Sequence, residues 1–325
     1  MTQDDVQLAV KHLAVAFDTD QGQVTAVDDV SFTLNSGRTL GIAGESGCGK
    51  SVTALSLMRL LPKPVSRIMG GQILYRGEDL LLLPPEQIHR IRGKRISMIF
   101  QEPMTALNPV HSVGRQMSEV FELHFKRMPA NERTDKSLSL IERVGIADPA
   151  QVLKKYPHQL SGGLRQRIMI AMALACAPDI LIADEPTTAL DVTVQAQIMA
   201  LIRELRKNQQ MSVILITHDL GLIAENCEDV VVMYAGRVAE TAPAGLLFKA
   251  PLHPYTQGLL SSIPSRAKSA KTLLPTIPGT VPCLGKMPEG CRFAGRCPMV
   301  APICQTQVPD LRKKGQDRYV ACHFA

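Results

Sequence analysis

A glycine-rich segment, GESGCGKS from Gly44 to Ser51, has the residue types and spacing of a phosphate-binding loop. Glycines let backbone N–H groups close around phosphates, and a helix that begins at the loop adds the positive end of its dipole. Lys50 is placed to reach the β- and γ-phosphates of a nucleotide, and Ser51 is placed to hold Mg²⁺. The predicted nucleotide-binding residues of this segment are Gly44, Ser46, Gly47, Cys48, Gly49, Lys50, Ser51 and Val52.

Two adjacent carboxylates end a later apolar run, ILIADE. Asp184 is placed to hold Mg²⁺ through water, and Glu185 is placed to polarise the water that attacks a phosphate. Taken alone, acids at the end of a strand are more simply interpreted as solvated side chains. Because Asp184 follows Ser51 by 133 residues in a chain with a phosphate-binding loop, the pair predicts nucleotide hydrolysis.

The segment QLSGGLRQRIMIAMAL predicts a second phosphate-binding surface. Ser161 can cap a helix, and Gly162 and Gly163 leave the first N–H groups of that helix facing outward. One chain does not need two such surfaces for one nucleotide, whereas two chains packed head to tail would use both. The alternative for this segment alone is an ordinary capped helix.

These three segments together resemble the ATP-binding-cassette ATPases. LSGGL is similar to the family signature, with Leu164 where Gln is commonest. The resemblance implies that Gln101, in FQEPMTALNP, senses the nucleotide and contacts a membrane partner. It also implies that Asp191, in TALD, lies in a loop crossing a dimer interface, and that His218, in LITHD, is a switch residue contacting the γ-phosphate.

The resemblance implies the chemistry as well. Water is expected to attack the γ-phosphate of ATP in line, with positioning and charge stabilisation providing most of the catalysis. An aromatic residue is expected against adenine, and Phe17 is the candidate with Val24 as the fallback. The expected catalytic residues are Glu185, His218, Gln101 and Lys50, and the expected Mg²⁺ ligands are Ser51, Gln101 and Asp184.

Strand and helix patterns place these motifs in a fold. VQLAVKHLAVAF and VTAVDDVSFTL alternate with period two, which predicts antiparallel strands. The short aliphatic runs RTLGIAG, RISMIF, DILIAD and SVILIT are typical of strands covered on both faces. Residues 111–176 and VTVQAQIMALIRELRKNQQ have helical patterns, and DVVVMYAGRVAE predicts two strands around a turn at Gly236-Arg237. The predicted fold is α/β, a P-loop NTPase core around a parallel sheet, with a helical subdomain, an antiparallel β subdomain and a small metal-stapled C-terminal extension.

The last 75 residues differ in composition from the rest of the chain. From Pro251 to Ala325 there are ten Lys or Arg and three Asp or Glu, a net charge of +7, so the first 250 residues sum to −1. A boundary is therefore predicted between a nucleotide-binding domain, 1–250 with its helical subdomain at about 104–176, and an extension, 251–325. A basic segment can indicate nucleic acid or anionic lipid, but a solvated surface that partly offsets a thiolate-bound metal is the favoured interpretation.

Four cysteines crowd into the last 35 residues with the spacing C-x5-C-x6-C-x17-C. This spacing lacks the close pair of a zinc site and matches neither standard ferredoxin pattern. Four thiolates in a small, proline-rich segment still suggest a metal that holds the segment together, because such a segment buries little apolar area. The residues leave the metal undecided, and four buried free thiols are the alternative.

FQEPMTALNP, the LSGGL segment and HPYTQGLL together resemble the ATPase subunits of bacterial dipeptide, oligopeptide and nickel importers, over about Gln7 to Ala325. The likeness is greatest to the dipeptide-type subunit with a cysteine-bearing tail. Cys283 lies outside the matched pattern, and Cys176 and Cys227 are expected to be core residues. The resemblance implies a [4Fe–4S] cluster on Cys291, Cys297, Cys304 and Cys322.

The same resemblance implies ATP and Mg²⁺ as cofactors and powering of peptide import as the function. The implied partners are a second homologous ATPase subunit, two transmembrane permease subunits and, indirectly, an extracytoplasmic substrate-binding protein, with no nucleic acid. No signal-peptide pattern or long apolar run occurs, which predicts a cytosolic or peripheral protein, and the resemblance implies the cytoplasmic face of the bacterial inner membrane. A nickel or haem-like cargo, and a soluble cassette ATPase outside transport, are the alternatives.

Overall fold

The computed structural model describes residues 5–20, 22–101, 106–187, 191–263, 275–315 and 317–325. The strands are β1 (Val6–Thr19), β2 (Gly22–Asn35), β3 (Thr39–Ala43), β4 (Ser66–Tyr75), β5 (Glu78–Asp79), β6 (Ile96–Ile99), β7 (Ile180–Asp184), β8 (Ser212–Ile216), β9 (Asp229–Tyr234), β10 (Arg237–Pro243), β11 (Arg312–Lys313) and β12 (Tyr319–Val320). The α-helices are α1 (Lys50–Leu57), α2 (Pro85–Ile91), α3 (Val113–His124), α4 (Ala130–Arg143), α5 (Pro149–Lys154), α6 (Gly162–Leu174), α7 (Val192–Gln209), α8 (Leu220–Asn226), α9 (Ala244–Lys249), α10 (Pro254–Ser261) and α11 (Pro302–Thr306). The chain forms two compact units, of which the first combines Met1–Leu82 with Leu215–Ala325 and the second is Leu83–Ile214.

The first unit contains an antiparallel sheet in the order β2, β1, β4, β5. The prediction that the first two apolar runs form antiparallel strands is confirmed. Strand β4 was not predicted from the sequence, because Gly70 and Gly71 interrupt its apolar alternation. Gly71 has a φ of +97°, and a Cβ there would lie 2.6 Å from the carbonyl oxygen of His12. This glycine therefore lets β4 pass close to β1 where the register between them shifts.

The same unit holds a second group of strands in the order β11, β12, β10, β9, β3. β3 and β9 are parallel, whereas β10 pairs antiparallel with β9 on one side and with β12 on the other. The group is therefore mixed, unlike the parallel sheet that the sequence predicts. The turn between β9 and β10 lies at Ala235 and Gly236, with φ of 45° and 84°, and Arg237 is already part of β10. Two consecutive positive φ values are typical of the tight hairpin turn that matches strand twist.

The C-terminal extension is part of the first unit, because its strand β12 pairs with β10. Glu240 of β10 is fully buried, and Arg318, next to β12, donates to its carboxylate at 3.0 Å. The backbone N–H groups of Leu252 and His253 donate to the same carboxylate. A buried acid with three donors therefore holds the beginning and the end of the extension together.

In the second unit, which contains the first three residues of β8, β7 lies between β8 and β6, and β6 and β7 run parallel with Ile99 opposite Ala183. All five residues of β7 are buried, as an aliphatic strand covered on both faces requires. The region predicted as helical contains α3, α4, α5 and α6, and the helical pattern of the next segment is confirmed by α7. Among the helices that the structure describes, none is long and apolar enough to cross a membrane.

Candidate nucleotide site

The glycine-rich segment follows β3, and α1 begins at Lys50, which is the strand–loop–helix context that a phosphate-binding loop requires. The Lys50 side chain is 6% exposed. Its ammonium donates to the backbone carbonyl oxygens of Gly44 at 2.7 Å and Glu45 at 3.0 Å. Ser51 and Val52 follow on α1 and are half-buried. Neutral carbonyl groups thus hold the cationic end of Lys50 inside the loop, where phosphate oxygens can replace them.

Three glycines of the loop, Gly44, Gly47 and Gly49, have positive φ values of 151°, 78° and 98°. A Cβ at Gly44 would lie 2.3 Å from the carbonyl oxygen of Met233, and one at Gly49 would lie 2.9 Å from that of Ala26. At Gly47 a Cβ would meet nothing within 4 Å. Gly44 and Gly49 are therefore required for close packing behind the loop, whereas Gly47 is required by backbone conformation.

Cys48 fills the inside of the loop. It is fully buried, and its Sγ lies 3.8 Å from Nζ of Lys50 and 2.6 Å from the position that a Cβ would take at Gly44. Burial raises the pKa of the Cys48 thiol, although the charge of Lys50 acts in the opposite direction. The thiol is therefore a small, neutral packing group, while Ser46 beside the loop mouth is exposed.

The structure also shows loop contacts that the sequence analysis missed, at Glu45. The hydroxyl of Tyr255 accepts a hydrogen bond from the backbone N–H of Glu45 at 2.9 Å. Arg296 donates to both carboxylate oxygens of Glu45, at 2.6 and 3.0 Å, and these hydrogen bonds raise the pKa of the guanidinium. Because these partners lie 210 and 251 positions away in the chain, no local pattern could have revealed them.

In the second unit, two predicted catalytic residues meet at the ends of neighbouring strands. Gln101 follows β6 and Glu185 follows β7, and the carboxyl ends of these parallel strands lie side by side. The Gln101 side-chain amide donates to the Glu185 carboxylate at 3.3 Å. Glu185 has a φ of 46°, in the left-handed region that non-glycine residues rarely adopt. Strain of this kind is concentrated at functional sites.

Gln166 connects the predicted signature helix to the same catalytic segment. This residue of α6 is 2% exposed, and its side-chain amide donates to the carbonyl oxygen of Pro186 at 2.6 Å. Pro186 directly follows Glu185, and Asp184 before it is buried. Helix α6 therefore holds the chain that carries both acids. Gln166 was not predicted as a functional residue, although a polar side chain inside the apolar pattern of a helix was a usable signal.

The two predicted interface segments begin helices. Ser161 caps α6 by accepting a hydrogen bond from the N–H of Leu164 at 3.4 Å, and Asp191 caps α7 by accepting one from Val194 at 2.9 Å. Ser161 and Gly162 are exposed, and a Cβ at Gly162 would meet nothing within 4 Å. The positive end of α6 thus faces solvent, as a phosphate-binding surface requires. Part of the TALD segment lies outside the described residues.

His218 and the predicted adenine contacts belong to the first unit. His218 is exposed just beyond β8, and the preceding Thr217 donates its N–H to the carbonyl oxygen of Ile42, in β3, at 3.3 Å. The switch candidate therefore follows a segment attached to the strand that enters the phosphate-binding loop. Phe17 and Val24 lie directly opposite each other on β1 and β2, and both are half-buried. The adenine candidate and its fallback are cross-strand neighbours.

The four C-terminal cysteines line one small cavity of about 10 Å³ together with His253 and Phe293. Burial raises the pKa of Cys291 and of Cys297, and the charges of the other thiolates act in the same direction. All eight cysteines lie in the described residues and are free thiols, and Cys283 is exposed outside this cavity. In the part of the chain that the structure describes, no group of three or more His, Cys, Asp or Glu side chains is arranged to hold a metal ion.

The chain is similar to known proteins over most of its length. Residues 27–188 match the family described as ABC transporter, and residues 239–304 match the one described as oligopeptide/dipeptide transporter, C-terminal region. "Probable peptide ABC transporter ATP-binding protein y4tR" of Sinorhizobium fredii (strain NBRC 101917 / NGR234) is 49% identical over 318 residues, covering 98% of this chain and 95% of that protein. "Dipeptide transport ATP-binding protein DppD" of Bacillus subtilis (strain 168) is 50% identical over 315 residues, covering 97% and 93%. The solved "Dimeric Structure of MJ0796, a Bacterial ABC Transporter Cassette" has a TM-score of 0.66 at 25% identity, covering 73% of this chain and 98% of that chain.

The similarity to the solved cassette shows that the chain has a P-loop NTPase fold with mixed α/β sheets. The two curated relatives agree with this chain at about half of the aligned positions, almost from end to end. The family matches include the glycine-rich loop and the capped helix after Ser161, at 27–188, and much of the C-terminal extension, at 239–304. The chain therefore belongs to the ABC transporter family and is one of its ATP-hydrolysing subunits.

Proposed function

We propose that this chain powers the import of peptides through a membrane ABC transporter by hydrolysing ATP. The observation that carries the proposal is the presence, in one chain, of the ABC transporter match at residues 27–188 and the oligopeptide/dipeptide transporter match at residues 239–304. The names of the relatives, which refer to peptide or dipeptide transport, favour peptides over the nickel or haem-like alternatives. The roles of individual residues in ATP binding and catalysis are part of the same proposal.

In the proposed reaction, water attacks the γ-phosphate of bound ATP in line with the bond that breaks. Lys50 exchanges the carbonyl oxygens of Gly44 and Glu45 for oxygens of the β- and γ-phosphates. Glu185 polarises the attacking water, and the hydrogen bond from Gln101 orients the Glu185 carboxylate. His218 contacts the γ-phosphate, while Phe17 or Val24 packs against adenine.

The proposed Mg²⁺ ligands are suited to that ion, because Ser51, Gln101 and Asp184 offer a hydroxyl, an amide carbonyl and a carboxylate oxygen. When bound, Mg²⁺ neutralises charge that develops on the phosphates. Ser161, Gly162 and Gly163, at the exposed end of α6, bind the phosphates of the nucleotide held by a partner chain. This arrangement requires a head-to-tail dimer with a second homologous ATPase subunit, and a solved cassette of the same fold is dimeric.

The proposed assembly has two transmembrane permease subunits and an extracytoplasmic substrate-binding protein. The chain would lie at the cytoplasmic face of the bacterial inner membrane as a peripheral subunit, with residues around Gln101 contacting the permeases. Residues 1–250 would serve as the nucleotide-binding domain and residues 251–325 as the extension, which overlaps the match at 239–304.

The catalytic assignment is tested with Glu185→Gln, which keeps the size of the side chain and removes its basic carboxylate. Phosphate release by the assembled transporter in proteoliposomes should fall at least about 100-fold while ATP binding persists. Glu225→Gln changes an exposed glutamate of α8 in the same way and should retain the wild-type rate. A Glu185→Gln rate close to wild type would contradict the assignment.

The cargo is tested in the same proteoliposomes with the binding protein outside. Labelled dipeptide should accumulate only with ATP, and its presence should stimulate hydrolysis, whereas Ni²⁺ and haem should do neither. Stimulation by Ni²⁺ or haem in place of peptide would contradict the peptide assignment. A rate of ATP hydrolysis that is the same with and without the permeases would favour a soluble ABC ATPase outside transport.

We further propose that the four C-terminal cysteines hold a [4Fe–4S] cluster. Their number and type suit such a cluster, and all four line one cavity. The cavity of about 10 Å³ has room for about one water molecule, so a cluster requires the four side chains to rotate apart. When bound, the cluster would supply a covalent link among four segments of the extension. The ligands would be Cys291, Cys297, Cys304 and Cys322.

Iron, sulfide and zinc analysis of anaerobically purified full-length chain tests this assignment. About four iron and four sulfide per chain are expected, with broad visible absorption. Cys304→Ser should lose iron and absorption, whereas Cys283→Ser, at the exposed cysteine outside the cavity, should keep both. One zinc per chain, or no metal, would contradict the cluster and leave the ATPase assignment unaffected.

A further inference from the structure

The second residue of the phosphate-binding loop, Glu45, is held by two side chains of the C-terminal extension. Its N–H donates to the Tyr255 hydroxyl at 2.9 Å, and its carboxylate receives two hydrogen bonds from Arg296 at 2.6 and 3.0 Å. Tyr255 is 0% exposed, and the Arg296 side chain is 7% exposed. Shielding from water strengthens both contacts, and the paired geometry of the arginine fixes the direction of the carboxylate.

The Arg296 side chain is also held by groups other than Glu45. Its Nε donates to the carbonyl oxygen of Pro278 at 2.9 Å, and its Nη2 donates to that of Ile277 at 3.2 Å. Its guanidinium also lies 5.8 Å from the ring centre of Tyr234. Because a planar guanidinium held by these three groups has few ways to move, it acts as a rigid support for the loop.

Tyr255 is fixed by aromatic packing. Its ring centre lies 4.6 Å from that of Tyr234 and 5.4 Å from that of Phe293. Its backbone N–H donates to Nδ1 of His253 at 3.0 Å, which caps α10. The HPYT segment, which the proposed reaction leaves without a role, is therefore the part of the chain that holds the tyrosine hydroxyl against the loop.

Glu45 passes this constraint to the backbone of the phosphate-binding loop. Its carbonyl oxygen accepts a hydrogen bond from the N–H of Cys48 at 3.3 Å, and in the nucleotide-free loop it also accepts one from Nζ of Lys50 at 3.0 Å. We propose that Tyr255 and Arg296 are positioning residues that set the geometry of the phosphate-binding loop and thereby its affinity for ATP. They act through Glu45. The inference rests on the ATP site proposed above.

The test uses the full-length chain with Glu185→Gln as background, so that ATP is bound without turnover. Tyr255→Phe and Arg296→Lys should each raise the Kd for Mg·ATP in calorimetry about 5- to 10-fold, and tenfold corresponds to about 1.4 kcal/mol. The matched controls are Tyr319→Phe and Arg318→Lys, which alter the same residue types in the same extension away from the loop. Both controls should keep the wild-type Kd even if their melting temperatures fall.

Steady-state kinetics of the assembled transporter distinguish a loss of loop positioning from a general loss of active protein. With Glu185 restored, Tyr255→Phe and Arg296→Lys should raise the KM for ATP by the same factor and leave kcat within about twofold, because binding to substrate and transition state weakens equally. Arg296→Ala should raise KM further than Arg296→Lys, since the lysine keeps a charge for Glu45. A fall in kcat with unchanged KM would overturn the inference.

A substitution of Glu45 tests the same interaction from within the phosphate-binding loop, so its result does not depend on the folding of the extension. Glu45→Gln should raise the Kd for ATP, and adding Arg296→Lys to it should raise the Kd no further, because both remove one interaction. Lys50→Ala distinguishes a failure of the proposed ATP site from a failure of the positioning role of Tyr255 and Arg296. If it abolishes ATP binding while Tyr255→Phe and Arg296→Lys bind normally, the inference is wrong and the site stands. If Lys50→Ala binds like wild type, both are wrong.

Discussion

Replacing Gly44 tests how tightly the phosphate-binding loop packs against the strand behind it. In Gly44→Ala the new Cβ would lie 2.3 Å from the carbonyl oxygen of Met233 and 2.6 Å from Sγ of Cys48, at a φ of +151°. The backbone conformation costs an alanine about 1–3 kcal/mol, and overpacking adds about 1–3 kcal/mol. Because the nearest atom belongs to the backbone, no rotamer change relieves the overlap. We expect a loss of about 4 kcal/mol in the free energy of unfolding.

Gly47→Ala is the matched control in the same loop. Its φ of +78° imposes the left-handed cost of about 1–2 kcal/mol, but its Cβ would meet nothing within 4 Å. At about 2 °C per kcal/mol, thermal unfolding of the nucleotide-free chain should fall by about 8 °C for Gly44→Ala and about 3 °C for Gly47→Ala. Equal shifts would refute the argument that the approach to Met233 constrains the loop.

Two further predictions concern buried groups outside the loop. Arg318→Met removes the guanidinium partner of the buried carboxylate of Glu240, so we expect a loss of about 3–5 kcal/mol. Arg312→Met, at an exposed ion pair, should cost less than about 1 kcal/mol, and equal shifts in urea denaturation would contradict this. Burial raises the pKa of Cys176 to about 11, so at about pH 8 its thiolate fraction is about two orders of magnitude below that of an ordinary thiol. Iodoacetamide labelling followed by mass spectrometry should modify the exposed Cys283 before the half-buried Cys176, and equal labelling rates would contradict the raised pKa of Cys176.

The nucleotide motifs could be predicted from the sequence because each is a local event. The loop before Lys50 needs only a strand, glycines and a helix in succession. The hydrogen bond between Gln101 and Glu185 is not local, because it joins residues 84 positions apart and depends on β6 and β7 being parallel neighbours. The contacts of Glu45 with Tyr255 and Arg296 could not be predicted, because they join residues more than 200 positions apart. Their partners are chosen by tertiary packing, which leaves no periodic trace in the sequence.

The positive charge of the extension has a structural explanation that composition alone did not supply. From composition, this charge is interpreted as a solvated surface that partly offsets a bound metal. Among the described residues of 251–325, three arginines instead pair with carboxylates of the first 250 residues, and their side chains are 12%, 7% and 11% exposed. The pairs are Arg292 with Asp28, Arg296 with Glu45 and Arg318 with Glu240. Charges buried against specific acids hold the extension to its own unit, so for these three arginines the interpretation as solvated surface is wrong.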